Sequence, residues 1–554
     1  MEFLHTARLA LTPLSPIHIG CGEDFDPTNY LIEGETLFGF DASRARLPDQ
    51  LATRLGELGT KADLLGIQRF FREQREHFKP HAQLLIPVAA GVAHEYEQRV
   101  GRVANREANG KSVVNQLFIE RASHSNGRPY IPGSSLKGAL RTAIVDDLNA
   151  GKPPLASEKG RLPNSWDSAK IEKRLLLGDF ASSPLRLVKP ADLMPVGEVT
   201  RQVLYAINQK KERVLDREGN ERPPRGVPSR KECILPGQYR AFAGALTLHH
   251  LGSHGTPGNA PVERLRPLSL ARIARETNDY HLPRLSAELQ MLDRRGFVDP
   301  HWKGAVEKLL AGETRAALDE GRAFLVRLGR HGGAECKTLS GEGVAQIKIL
   351  QVNNAEGRRN PPVFLSYTKT VWLAGKDARD RRHLLPFGWA LVEIDPQEDL
   401  AELRAWCDRQ AQSRPDMASI RAGFAEARAV AEQQAEQLRA ASAAALAAEK
   451  ERLAQEAERA RRKEALGPEM REIDEFVDAY RQRADQLRGG KDKPNTAYHQ
   501  RAQRLAESAA NWGANETRAA VAAIEEWLPK VVTIDLKSLR RTPWLAALRT
   551  RAQG

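Results

Sequence analysis

Tyr130, Ile131, Pro132, Gly133, Ser134, Ser135, Leu136, Lys137, Gly138, Ala139, Leu140 and Arg141 form a stretch that turns the chain into a helix and sets a regular pair of cations on it. Upstream, Asn115 to Ala122 predicts a strand, broken by Ser125, Asn126, Gly127 and Pro129 before Pro132 and Gly133 open the helix. Ser134 or Ser135 is the expected N-cap. The first turn leaves amide N–H groups unpaired with the positive end of the helix dipole behind them, so it can accept a phosphate without reading a base. Lys137 and Arg141 lie four apart on one face, while Leu136, Leu140 and Ile144 form a neighbouring apolar stripe that can dock on a sheet. Two other readings use the same residues. One is a capped structural helix with solvated Lys and Arg. The other is the Ser-x-x-Lys pair of penicillin-recognising hydrolases, whose later Lys-Thr-Gly finds only Lys337, Thr338 and Leu339 here.

Two further segments join the first. Near the start stand Leu11, Thr12, Pro13, Leu14, Ser15, Pro16, Ile17, His18, Ile19, Gly20, Cys21, Gly22 and Glu23. Late in the chain stand Leu328, Gly329, Arg330, His331, Gly332, Gly333, Ala334, Glu335, Cys336, Lys337 and Thr338. Together with the helix start they resemble, in order, the opening strand and loop, the second signature and the glycine-rich loop of RAMP-superfamily CRISPR proteins. Within that superfamily the opening, the hairpin through Asn29, Tyr30, Leu31, Ile32 and Gly34, and the late Pro386, Phe387, Gly388 and Trp389 are most similar to the family of fifth subunits of the type III-A Csm complex. The resemblance covers about residues 1 to 400.

The pattern of elements agrees with an α+β chain of two fused ferredoxin-like, RRM-like halves followed by an all-α extension. Ala7 to Leu14 alternates, Tyr30 to Phe40 folds about Gly34, Leu51 to Phe78 is helical, and Ser183 to Leu193 reads as a strand. A second half begins near Ile234, with strands at Tyr239 to Leu248, Ala345 to Val352, Val363 to Leu373 and Trp389 to Ile394, and helices in Pro267 to Phe324. The expected domains are residues 1–205, a basic mobile loop over 206–233, a half with the glycine-rich loop over 234–400, and a helical extension over 401–554. The loop carries Lys210, Lys211, Arg213, Arg217, Arg222, Arg225, Arg230 and Lys231, as a solvated linker or as an arm that orders on RNA. In the extension Ala, Gln, Glu and Arg predict a long helix over Ala425 to Leu466, then helices over Met470 to Leu487 and Tyr498 to Leu528. Its charges are nearly balanced, so it reads as a solvated face and a packing element for a neighbouring subunit.

At 554 residues the chain holds about three domains. Its 84 Lys and Arg against 71 Asp and Glu give +13, which favours a polyanionic partner. No apolar run of about 18 residues and no signal pattern are seen, so a cytoplasmic location without a membrane partner is expected. Cys21, Cys233, Cys336 and Cys407 are scattered, like free thiols. Glu23, Asp24 and Asp26 could hold Mg²⁺ for nuclease chemistry or merely cap a loop; no second carboxylate cluster joins them, and no metal is assigned. His249, His250 and His254 lack helical metal spacing because Gly252 and Gly255 interrupt them. No Walker or Rossmann fingerprint occurs, and no cofactor is expected. Aromatic content of 6% argues against stacking along a whole strand, leaving Tyr130, Phe25 or Tyr30 as local stacking residues.

The resemblance implies a non-catalytic RNA-binding subunit of a type III-A CRISPR interference complex that caps the backbone filament at the crRNA 3′ end and supports crRNA maturation and antiviral defence. Lys137, Arg141, Ser134 and Ser135 would hold RNA at the helix start. Arg330, Gly332, Gly333 and Lys337 would clasp it from the other half, and His18 with Gly20 would shape the first loop. The implied partners are crRNA, the backbone RAMP subunit and host 3′-trimming nucleases. The alternatives are a RAMP endoribonuclease that cuts pre-crRNA with His18 and Lys137, or a sibling RAMP subunit of another type III complex.

Overall fold

A computed structural model describes residues 4–45, 47–106, 112–162, 164–178, 183–224, 226–250, 268–341, 343–344, 346–351 and 360–553. Arg225, Gly252, His254, Gly255, Ala345 and Val352, all used in the sequence reading, lie outside the described residues. The chain divides into two compact units, Met1–Ala431 and Glu432–Gly554.

In the first unit, Leu4–Pro13 carries Ala7, Leu9 and Leu11 on one buried face, which period-2 alternation demands. It pairs antiparallel with Phe242–His249 on one side and Trp389–Ile394 on the other. Val188–Pro190 and Ala323–Arg327 complete the sheet at its ends. The helices Gly133–Asn149 and Leu270–Arg294 pack on it through Leu136, Leu140, Ile144, Ile273 and Ala274, sharing a core with Phe242, Phe324 and Val392. Strand, helix, strand, strand, helix, strand is the ferredoxin-like order, and here it closes across almost 400 residues.

The second sheet runs Gly20–Phe25, Ile119–Ala122, Ser229–Ile234, Arg201–Lys210, Thr370–Gly375, Leu385–Pro386. The fold is therefore α+β, with two sheets as the two halves. The halves interleave, because each sheet takes strands from both sides of residues 205 and 234. Leu4–Pro13 and Gly20–Phe25 show why: the chain leaves one sheet through Pro13 and Pro16, which donate no ladder hydrogen bond, and enters the other.

Residues 206–233 are not a loop throughout. Arg201–Lys210 and Ser229–Ile234 form a hairpin, from Arg201 opposite Ile234 to Ala206 opposite Ser229. Arg230 and Lys231 are strand residues neutralised by Glu95 and Glu120, and Lys231 is buried. Ser183 caps a short turn, Pro184–Leu187, so the strand expected over Ser183 to Leu193 is only Val188–Pro190. Tyr30–Glu33, Thr36–Gly39 and Leu84–Pro87 make a third small sheet beside a cluster of Phe40, Phe70, Phe71 and Phe78.

Past residue 400, Ala401–Ala411 buries Leu403, Trp406 and Cys407 in the core of the first unit, so this part of the expected extension belongs with the sheets. Met417–Glu464 is a 48-residue helix with no buried residue. The second unit packs Pro468–Leu487, Ala497–Ala509, Ala514–Val531 and Pro543–Gln553 around Phe476, Tyr480, Ile524, Leu528 and Leu545. The single helix expected over Tyr498 to Leu528 is two, parted at the turn before Gly513. Among the described residues, no helix is long and apolar enough to cross a membrane.

Candidate nucleic-acid interface

Backbone hydrogen bonds stitch the first and third sequence motifs together. Gly388 N–H donates to the Pro16 carbonyl at 2.9 Å, and Arg330 N–H donates to the His18 carbonyl at 2.8 Å. Gly329 makes that approach possible. Its φ is +81°, and a Cβ there would stand 2.2 Å from the His18 oxygen. The helix start is fixed in the same manner, with Gly133 against the backbone of Pro190 and Ala191 and its N–H donating to Asp192 Oδ1 at 2.7 Å.

Neither serine caps that helix. It begins at Gly133 with Pro132 in the N-cap position and no side-chain cap. Pro132 presets the entry angle, and Asp192 accepts from the Gly133 N–H, so the helix starts ahead of both serines. Ser134 and Ser135 instead stand in the first turn and face a groove of about 550 Å³. Gly20, Arg141, Arg330, Gly332 and Lys337 share its walls. The three motifs, some 300 residues apart at their extremes, thus meet on one depression.

Three expected site residues stand elsewhere. His18 is wholly buried, its Nδ1 2.7 Å from the Glu232 carbonyl and its Nε2 3.3 Å from Glu120 Oε1, an electrostatic contact without hydrogen-bond alignment. Gly333 opens onto a neighbouring cavity. Lys137 does not line the groove; burial first, and the charge of Lys189 second, push its amine below the ordinary lysine value. No carboxylate partner is found for Lys137 or Lys189 among the described residues, so the pair is a place where an anion relieves repulsion.

Acidic residues that sequence reading missed hold the groove's arginines. Glu172 takes Arg141 in a two-pronged ion pair, with Nε donating to Oε1 at 2.8 Å. Glu120 accepts from Arg330 Nη1 at 2.5 Å and from Lys231 Nζ. The facing His18 ring first, and Lys231 after it, hold the Glu120 carboxyl far below the usual carboxylate range. Gly20 leaves the space this carboxylate needs, since a Cβ there would lie 2.4 Å from Glu120 Oε1. Lys337 is exposed and has no carboxylate partner among the described residues. The groove is therefore a set of cations, two of them parked on carboxylates at its wall, with two serines beside them. Such a surface suits a phosphate chain.

Two other expectations change. Phe25 and Tyr30 are buried and offer no open face for stacking; Arg121 covers the Phe25 ring, and the Tyr30 hydroxyl donates to the Leu117 carbonyl. Glu23, Asp24 and Asp26 do not share one ligand set among the described residues. Glu23 instead pairs with Arg121, which also donates to His124 Nε2, and Asp26 accepts from Thr28.

Residues 10–240 match the RAMP superfamily. The chain resembles RAMP-superfamily CRISPR proteins, and among them Csm5. It is 27% identical over 150 residues to "CRISPR system Cms protein Csm5" of Streptococcus thermophilus, a match covering 26% of this chain and 38% of that one. It is 27% identical over 156 residues to the Mycobacterium tuberculosis protein of the same name, covering 26% and 40%. The chain thus spans well under half the length of these relatives. Two solved structures are similar at 17% identity. The crystal structure of T. onnurineus Csm5 is matched over 69% of this chain and 99% of its own, with a TM-score of 0.36. A chain of a type III-A Csm–crRNA–target RNA ternary complex is matched over 70% and 100%, with a TM-score of 0.33. The matched region includes the first motif, the helix start and Glu120, and ends before the glycine-rich loop.

Proposed function

We propose that this chain is a non-catalytic, RNA-binding structural subunit of a type III-A CRISPR effector complex. It holds the 3′ region of crRNA by its sugar-phosphate backbone and caps the filament of backbone RAMP subunits, supporting crRNA maturation and antiviral defence in the cytoplasm, where host nucleases trim the RNA beyond it. The observation that carries this reading is the meeting of three distant motifs on one groove lined by Arg141, Arg330, Lys337, Ser134 and Ser135. Its lining offers guanidinium, ammonium and hydroxyl donors suited to phosphate and few groups suited to base edges, so recognition is tolerant of sequence. Arg141 and Arg330 exchange Glu172 and Glu120 for phosphate oxygens when RNA arrives, and the Lys137 and Lys189 pair extends the track along the helix.

The endoribonuclease alternative needs His18 within reach of a ribose hydroxyl. With no exposed surface and a ring packed between Glu232 and Glu120, His18 is built as a support for Glu120. Reconstitution tests the proposal: particles assembled with a chain carrying Arg141→Ala, Arg330→Ala and Lys337→Ala should protect a shorter 3′ part of crRNA than wild-type particles. Full-length protection by the triple variant would refute it.

A further inference from the structure

Behind the glycine-rich loop lies a second cavity of about 450 Å³ that the proposed backbone grip does not use. Its size falls within the range of small-ligand pockets, about 300–1,000 Å³. Arg327 and Cys336 line both it and the groove, and the wall between them is the loop itself, where Gly332 borders the groove and Gly333 the cavity. At this shoulder Gly333, at φ +73°, is exposed and presents no side chain to a strand crossing it.

The cavity is lined chiefly by apolar surface, and Met291, Trp372 and Tyr367 are among its walls. Trp372 is only partly buried, and Tyr367 is 48% exposed. The His331 ring stands between Trp372 and Phe387, with centroids 5.2 and 5.1 Å away. His331 also has a left-handed backbone, φ +65°, a conformation uncommon outside glycine. Its Nε2 is buried and has no hydrogen-bond partner among the described residues. Burial pushes its ring down to about 4, so near neutrality it is an uncharged imidazole that can donate to or accept from an uncharged partner. At the rim Lys211 is tied to Glu335, which also accepts from Thr368, and Arg284 is held by the Glu335 carbonyl and Ser340. Arg327, which also lines the cavity, is paired with Glu288, so the charged groups of the lining are already engaged and its apolar surface is left to a flat, uncharged group.

We propose that this cavity receives one unstacked nucleobase of the RNA whose backbone lies in the adjoining groove, the base turning over the Gly332 and Gly333 shoulder to lie against Trp372 and Tyr367. A π-face is common to all four bases, so this seat anchors the strand without selecting its sequence. The inference rests on the RNA-binding reading above, and the test separates the two.

Full-length protein is titrated by fluorescence anisotropy with a 12-nucleotide oligouridine, with an abasic ribose-phosphate oligomer of equal length, and with inorganic polyphosphate as a competitor. Wild-type protein should bind the abasic oligomer about five- to 100-fold more weakly than oligouridine. Trp372→Leu should lose a similar factor for oligouridine and keep its affinity for polyphosphate within twofold, and Trp372→Phe should regain most of the loss. Equal binding of oligouridine and the abasic oligomer by wild-type protein overturns the nucleobase seat while leaving the groove intact. So does a Trp372→Leu variant that binds oligouridine like wild type, or that loses oligouridine and polyphosphate alike. Failure of the wild-type chain to bind either polyanion overturns the groove itself, and the seat with it.

Discussion

Neutralising the third motif should flatten the salt dependence of RNA binding in a way that can be worked out beforehand. Four cations line the groove, and because the Arg327 side chain is buried and paired with Glu288, Arg141, Arg330 and Lys337 are the three left to meet phosphate. Each neutralised phosphate of a single strand contributes about 0.7 to the log–log slope of affinity against salt, so three contacts give a slope near −2. Raising salt from 50 to 200 mM then weakens binding about 20-fold. Arg330→Ala with Lys337→Ala removes two of these contacts and about 1.4 from the slope, so the loss over the same range shrinks about sevenfold. The double variant should stay folded, because Glu120 retains Lys231 and the facing His18 when Arg330 is removed, and Lys337 holds no carboxylate among the described residues. Anisotropy titrations of a labelled single-stranded RNA in a KCl series measure both slopes. A double variant that keeps the wild-type slope would refute the reasoning, since its phosphates must then be neutralised elsewhere.

Three other outcomes follow from the ion pairs and the packing. Glu120→Gln removes a carboxylate whose protonation is depressed by its partners. In the wild type that stability is present above the ordinary value of 4.5 and is lost as pH falls below it, so the variant should be less stable at pH 7 by about 2 kcal/mol and should show a flatter acid slope in denaturant melts. His281 is buried edge-on to Trp389 and is pushed down to about 3 by burial and then by Arg284 and Arg327. The unfolded chain therefore binds more protons between pH 3 and 6.5, and stability falls as pH drops below 6.5; His281→Phe should remove that slope. Gly329→Ala should cost more than the roughly 1–3 kcal/mol of a strained backbone, because its Cβ meets the His18 carbonyl, whereas Gly219→Ala at φ +82° with open space around it should cost only the backbone part, as equilibrium unfolding can measure.

Where apolar periodicity was strong, the sequence was readable. Leu4–Pro13 and Trp389–Ile394 fell where alternation puts them, and Leu136, Leu140 and Ile144 do face a sheet. What periodicity cannot encode is which strand pairs with which, so the interleaving of the two sheets emerged only from the structure. Residues 206–233 misled for a related reason: Arg230 and Lys231 look solvated in sequence, yet their charges are neutralised by Glu95 and Glu120 on segments more than 100 positions away. The same holds for Glu172 and Asp192, which park Arg141 and cap the helix from other elements. His18 and Gly20 were singled out as shaping the first loop, and the reactive reading of His18 could be judged only once its burial was known.

The claim on which the rest depends is that the helix start and the glycine-rich loop grip one RNA strand together. Photocrosslinking of a 4-thiouridine RNA to the full-length chain, followed by peptide mapping, tests it most directly. Crosslinks to residues 134–142 and to residues 329–337 on the same bound strand are expected. Crosslinks confined to residues 432–554, or to only one of the two segments at saturating RNA, would contradict it.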